Sequence, residues 1–478
     1  MSAVAGHVIG GRVESPQGCA VIEVVNPADG AVVGAVVSGD AGDVDRAVAA
    51  ARAALPGWAA APMEERIRIV EALAAGLDEH RERLAATLTA EMGTPIAFAR
   101  AAQVGVAIAD LRQLIAAARE HVSAEAVSNS LVVTEPVGVV AAITPWNFPL
   151  HQIMLKLGGA LLAGCTVVLK PSEVAPLNAV IVAEILDAIG LPAGVVDVVF
   201  GDGPAVGEPL AAHPDVDMVT FTGSRAVGER IARAASATVT RVALELGGKS
   251  AAVILDDAPL EASVAGVLAS CFANAGQTCA ALTRALVPET IKSRWEDAAV
   301  AAAQTWMPGD PRDEDTRMGP LASAAQHSRV VAHITRAQEE GARLLVGGTQ
   351  ALEIGEAYVR PTIFTDVDPD MALFRDEVFG PVLAITGYRT IDEAVALAND
   401  SDYGLSGGVW SADEVRALEI ALRLRTGTVG INGAGLDVGA PFGGYKQSGL
   451  GREAGRLGFE EFLEVKSVMG AAHLVKTS

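Results

Sequence analysis

Aromatic residues are scarce in this chain: Phe, Trp and Tyr together make up 4% of its 478 residues. Cysteine is scarcer. The four thiols, Cys19, Cys165, Cys271 and Cys279, have no Cys-x-x-Cys or other metal-ligand spacing, so no metal site is expected. They are also too few for a disulfide scaffold, and a reducing, cytoplasmic compartment is expected. No Lys/Arg run forms a basic patch, and the formal net charge is −22; nucleic acid and anionic membrane are therefore excluded as partners. The N-terminus lacks a basic stretch followed by an apolar one, so no signal peptide is expected. The most apolar long stretch, 137–169, is broken by Pro145, Pro149, His151 and Lys156 and reads as buried core rather than a membrane span.

What the chain does have is aliphatic residues and glycine: half of it is hydrophobic, with 50 glycines. That composition suits an α/β protein with tight strand–helix turns, and the length predicts two or three domains. Residues 21–37 predict a hairpin about an Asn-Pro-Ala-Asp-Gly turn. Residues 43–119 are helical in pattern, punctuated at Pro62 and at Gly93-Thr94-Pro95. Strands are expected at 137–143, 166–169, 195–199 and 218–221, with helices to 162 and over 178–189 between them, the rhythm of a parallel doubly wound sheet. A second series follows Gly248, with strands at 251–255, 283–287, 384–388 and 428–431 and helices at 292–305 and 325–340. The apolar stretch 461–471 is strand-like, added either to its own domain or to another subunit's sheet.

Cys279 ends the segment Phe272-Ala273-Asn274-Ala275-Gly276-Gln277-Thr278-Cys279. A lone thiol is usually a small buried hydrophobe. With Glu245 of Glu245-Leu246-Gly247-Gly248-Lys249 it becomes a nucleophile and a base, provided the fold brings them together. Phe221-Thr222-Gly223-Ser224, with Gly228 beyond it, joins an apolar strand to a helix; the junction is either an anion site or a helix capped by Ser224. Lys170-Pro171-Ser172-Glu173 follows a strand and is either a ribose-binding turn or a solvated one. In Pro145-Trp146-Asn147-Phe148-Pro149 the prolines stiffen a loop from which Asn147 can donate to an oxyanion, or merely cap a turn.

These segments, with Glu377-Val378-Phe379-Gly380-Pro381 and Pro441-Phe442-Gly443-Gly444-Tyr445-Lys446-Gln447-Ser448-Gly449, occur in the order that resembles NAD(P)-dependent aldehyde dehydrogenases, from about residue 20 to 470. The resemblance implies a Rossmann-like cofactor-binding domain (1–117 and 137–247), an α/β catalytic domain (248–450) and a small β oligomerisation element (118–136 and 461–474). It implies Cys279 as nucleophile, Asn147 with the Cys279 N–H as oxyanion hole, Glu245 as the base for deacylation, and Lys156 and Glu453 as a proton relay. For NAD, with NADP possible, it implies Thr144, Pro145 and Trp146 beside the cofactor and Lys170, Ser172 and Glu173 at the adenosine ribose. Gly223, Ser224 and Gly228 fall at the pyrophosphate, Leu246, Glu377 and Phe379 at the nicotinamide end, and Gln326 and Arg329 at weaker contacts. It further implies a small-molecule aldehyde as substrate and a homodimer or homotetramer in which each C-terminal strand pairs with a neighbour. A CoA-acylating relative commonly lacks the base, and a non-catalytic relative would have lost Cys279, Glu245 or Asn147; this chain has all three. It departs from many members at His151, Gln152, Leu155 and Ala273 and in the glycine-rich loop 433–440. A wider substrate mouth is expected from this, with His151 either orienting a polar substrate or satisfied within the pocket wall.

Overall fold

A computed structural model describes residues 4–14 and 20–474; Cys19 lies outside them. The chain folds around two large sheets. The first has eight strands in the order Gly449–Leu450, Arg241–Glu245, Met218–Thr222, Val139–Ile143, Thr166–Lys170, Val196–Val198, His7–Ile9 and Arg12–Glu14. Its five central strands are parallel, and the outer ones are antiparallel. Every residue of Val139–Ile143 and Thr166–Lys170 is buried, as expected for a sheet covered on both faces. Alternate residues feed two cores. Val140, Ala142, Val167 and Leu169 pack under the helices Met63–Glu79, Val106–Glu120, Pro149–Ala163 and Leu177–Ala188. Val139, Ala141, Val168 and Val219 pack with Val44, Val48 and Ala51 of the helix Ala41–Ala59. Each such buried Val or Leu side chain contributes about 1.5–3 kcal/mol relative to exposure.

The second sheet has seven strands: Arg343–Val346, Thr362–Thr365, Val382–Tyr388, Leu282–Pro288, Ser250–Ile254, Ser406–Trp410 and Thr428–Ile431. All pairs but the first are parallel. Ser406–Trp410 is a strand that its sequence does not announce, because Gly407 and Gly408 have low strand propensity. They are needed there: a Cβ on Gly408 would stand 2.6 Å from the Trp410 ring. The hairpin at 21–37 forms as Val21–Val25 paired with Val32–Val37, and the Asn26 side chain accepts from the Ala28 N–H at 2.9 Å in the turn. Among the described residues one helical run, 96–120, is long and apolar enough by length and composition to cross a membrane; over half of its apolar window is buried here against the protein's own helices.

Two strands near the C-terminus pair with partners distant in sequence. The strand Gly449–Leu450, inside the span assigned to the catalytic domain, returns to the first sheet and pairs with Leu244 and Glu245. The C-terminal strand, Leu463–Met469, pairs within its own chain, over seven residues from Leu463↔Pro136 to Met469↔Ser130, in a three-stranded sheet with Ala124–Val127 at its far edge. The partner strand is distant in sequence and becomes local only on folding. Truncation at Leu463 is therefore expected to bare the edge of Ser130–Pro136 and to produce an unstable or aggregating protein. A truncated chain with unchanged melting temperature and light-scattering mass would refute this.

Candidate active site

Four parallel strands of the first sheet end in register, with Ile143 beside both Phe221 and Lys170, and Thr222 beside Glu245. Loops leaving these carboxyl ends carry Pro145, Trp146, Asn147, Ser172, Glu173, Gly223 and Ser224, at the edge where open α/β sheets take ligands. The second sheet faces them with the opposite ends of its strands. Glu377 and Phe379 precede Val382–Tyr388, Cys279 precedes Leu282–Pro288, and the link 246–249 runs from Glu245 to Ser250–Ile254. That link lies against the thiol's backbone, since a Cβ on Gly248 would be 2.6 Å from the Cys279 carbonyl oxygen.

One cavity of about 480 Å³ is lined by Pro145, Trp146, Asn147, Gly223, Ser224, Glu245, Leu246, Cys279, Gln326, Arg329, Glu377 and Phe379. Thr144, Lys156, Lys170, Ser172, Glu173, Gly228 and Glu453 are outside its lining. Lys156 and Glu453 stand behind it as a buried ion pair, and the Lys156 ammonium also donates to Thr222 Oγ1 at 2.8 Å. Buried Thr144 donates its N–H to the Lys170 carbonyl at 3.1 Å. Lys170 donates to Glu173 at 3.2 Å and is itself buried, whereas Glu173 is half exposed. The Ser172 hydroxyl accepts from the Val174 N–H at 3.3 Å. Ser224 occupies the N-cap position of Arg225–Ala235, but its hydroxyl makes no capping bond. A Cβ on Gly223 would meet the Phe221 ring at 2.4 Å, and one on Gly228 the Leu246 side chain at 2.6 Å.

The turn ahead of Cys279 has three successive left-handed residues, Asn274 (φ 53°), Ala275 (φ 55°) and Gly276 (φ 74°). Only glycine fits the last, because a Cβ there would lie 2.2 Å from the Gly380 backbone. Asn147 is buried and gripped by this turn. Its side-chain amide donates to the Gln277 carbonyl at 3.0 Å, and its own carbonyl accepts from Asn274 at 3.0 Å and Gln103 at 2.9 Å. One of the two Asn147 side-chain N–H groups remains for a ligand. Gln103 and Asn274 are anchors the sequence reading missed; an Asn in a turn tolerates the left-handed region, which is the one signal that pointed at Asn274.

Electrostatics distinguish the acids. Glu245 is 4% exposed, and neither carboxylate oxygen has a hydrogen-bond partner. Burial first, and the Glu453 charge second, push its carboxyl well above the usual range. Burial pushes the Glu377 carboxyl up to about 7, against the Gly248 N–H that donates to it at 2.9 Å and the nearby Lys249 charge. The Cys279 thiol is pushed up to about 12 by burial and then by the Glu377 and Glu245 carboxylates. The thiol therefore rests protonated, with the Glu245 carboxyl raised by burial on the same cavity wall. Trp146 and Phe379 meet edge to face at 5.5 Å on the cavity wall.

The sequence model of the aldehyde dehydrogenase family matches residues 13–468. The chain belongs to that family. A 3-succinoylsemialdehyde-pyridine dehydrogenase from a Pseudomonas species is 46% identical over 466 residues, covering 97% of this chain and 98% of that protein. Among solved structures, mutant aldehyde dehydrogenase C from Pseudomonas syringae, in complex with NAD+ and octanal, superposes with a TM-score of 0.96 at 44% identity, covering 98% of this chain and 97% of that one. A Mycobacterium tuberculosis aldehyde dehydrogenase complexed with NAD+ gives 0.95 at 42% identity, covering 98% of both chains.

Proposed function

We propose that this aldehyde dehydrogenase oxidises an aldehyde to the carboxylic acid with NAD as hydride acceptor, through a thioester on Cys279 that is hydrolysed by water activated by Glu245. The observation that carries the reading is one cavity holding the Cys279 thiol, the Asn147 amide and a Glu245 carboxylate with no partner of its own. The Cys279 sulfur bonds to the carbonyl carbon as the C=O electron pair moves to oxygen and the thiol proton passes to that oxygen, giving a thiohemiacetal whose hydroxyl proton is released when the hydride leaves. The Asn147 side chain and the Cys279 N–H stabilise the oxygen as it gains charge. Bound NAD supplies one thing, acceptance of the hydride released when the carbonyl re-forms as the thioester. Glu245 then takes a proton from water, the new C–O bond forms, the C–S bond breaks and the acid leaves. Lys156 and Glu453 lie behind Glu245 and provide a route for its proton. Octanal with NAD is the first assay; a protein that forms no NADH with octanal or any other aldehyde overturns the reading.

The cleft fits a dinucleotide. Ser224, uncapped at a helix N-terminus beside glycines with no room for a Cβ, suits the pyrophosphate. Lys170, Ser172 and Glu173, behind Thr144, suit the adenosine ribose. Glu377 suits the nicotinamide ribose, with Trp146, Leu246, Phe379, Gln326 and Arg329 around it. Glu173 predicts preference for NAD over NADP: its carboxylate is close to where a 2′-phosphate would sit. Two like charges at roughly 4 Å cost on the order of 1–4 kcal/mol between water and a protein surface. That is about 5- to 1000-fold in kcat/KM. Glu173→Gln is expected to narrow the ratio mainly by improving NADP; an unchanged ratio, or equal use of both cofactors by the wild type, counts against this role.

The first sheet and its helices form the cofactor domain in this reading, and the second sheet the catalytic one. The three-stranded sheet is the oligomerisation element of a cytoplasmic homodimer or homotetramer. Support comes from Val465, Val468 and Met469, which its outer strand leaves exposed at 66%, 42% and 82%.

A further inference from the structure

Away from the groups assigned to the cofactor, much of the cavity wall is apolar, with Ala102, Val106, Phe148, Leu155, Val438 and Phe442. Gln152, Thr222, Thr278 and His333 interrupt it, as do Asp110 and His151. Ala102, Val106 and Asp110 follow one another at four-residue spacing along the helical run 96–120, so Asp110 shares their cavity-facing side. His151 comes from the first turn of Pro149–Ala163. Its Nδ1 and Asp110 Oδ2 are 2.6 Å apart. The Asp110 side chain is fully buried and that of His151 is 12% exposed, so the imidazole is the part that reaches the cavity. Asp110 Oδ1 has no partner. An acid and an imidazole buried together cost more than two apolar side chains filling the same wall, and the chemistry described so far uses neither.

Asp110 occupies Nδ1, which leaves Nε2 as the one ring nitrogen free for a ligand. Burial alone would push the imidazole's pKa down, but the Asp110 charge and hydrogen bond, aided by Glu453, lift it above its ordinary value. That direction favours the protonated ring, in which Nε2 carries a proton to donate. Its charge is already balanced by Asp110. Glu453 adds negative charge nearby, partly offset by Lys156. A carboxylate brought into this wall would be desolvated beside like charge, at a higher cost than a neutral acceptor that gains a hydrogen bond there.

We propose that His151 is a specificity residue that donates a hydrogen bond from Nε2 to a neutral acceptor of the ketone-carbonyl kind, carried by the aldehyde away from its reacting carbon, and that Asp110 positions it. The proposal rests on Cys279 as the reacting group in the same cavity. It makes the substrate a bifunctional aldehyde rather than a plain alkyl one.

The test compares kcat/KM for octanal, for oxo-octanals with the ketone at successive positions, and for the ω-carboxylate aldehyde of equal length. For the best-placed ketone, His151→Leu is expected to lower the ratio of kcat/KM to that for octanal by about tenfold or more, carried in KM. His151→Gln, which keeps an N–H donor, is expected to restore part of the ratio, and Asp110→Asn to lower it in the same sense. A ratio that moves by less than about threefold in His151→Leu at every ketone position overturns the proposal. So does a wild type that prefers the carboxylate to every ketone, or octanal to both; these two outcomes need no variant to fold. Failure of the wild type to oxidise any of these aldehydes strikes the Cys279 reaction instead, and is distinguishable because no substrate then forms NADH.

Discussion

Replacing Cys279 with alanine is expected to abolish NADH formation, by a factor on the order of 10⁴ or more, while NAD still binds. The size of the effect follows from the site having one nucleophile. Cys271 is fully buried in the core of the second sheet and Cys165 in that of the first, and burial pushes both thiols up to about 12. Neither lines the cavity. Removal of the Cys279 sulfur leaves Asn147 and Glu245 with no covalent intermediate to stabilise or hydrolyse. The cofactor groups are on other elements, so NAD binding by calorimetry should be near that of the wild type. Near-normal turnover would sink the assignment, and lost NAD binding would mark Cys279 as structural.

Glu245→Gln should separate the two halves of the reaction. The carboxyl is kept in shape but loses its basicity, so deacylation is expected to slow by about 10²- to 10⁴-fold. Rapid mixing should still show a burst of about one NADH per active site before slow turnover. The wild-type pH profile adds a second readout. Burial and the Glu453 charge raise the Glu245 carboxyl, so it is protonated and idle as a base at low pH, and steady-state turnover should rise with pH as it ionises. That limb should vanish in the variant. A burst as impaired as the steady state would move Glu245 to the first step. Stability should move the other way: Glu245 is buried with both oxygens unpaired, so neutralising it should hold or raise the melting temperature. A clear fall would show that the carboxylate is structural.

The elements most legible in the sequence were those with strong local signals. Residues 137–143 and 166–169 are short apolar runs bounded by turns, and they became the buried strands Val139–Ile143 and Thr166–Lys170. The helix boundaries at Pro62 and Gly93 also fell where proline and a left-handed glycine (φ 78°) end or begin a turn. Less legible were His7–Ile9 and Arg12–Glu14, three residues each, which exist because the first sheet offers them an edge. For Leu463–Met469 the sequence left own-chain and neighbour pairing equally open: an apolar strand carries its pairing potential but not the address of its partner.

Within the site, functional groups could be named from the chain alone because acyl chemistry needs a thiol, a carboxyl and an amide whatever the scaffold, and here each sits in a rigid or glycine-marked turn. Their meeting is a tertiary fact. Glu245 and Asn147 leave the carboxyl ends of one sheet and Cys279 enters a strand of the other, so the cavity exists only where the two sheets face. The same holds more strongly for Asp110 and His151. They lie 41 positions apart and close to 2.6 Å, a distance set by the packing of one helix on another. Hydrophobic patterning records which side of a helix is buried, but a buried side can face either a core or a cavity, and that is decided by what packs across from it.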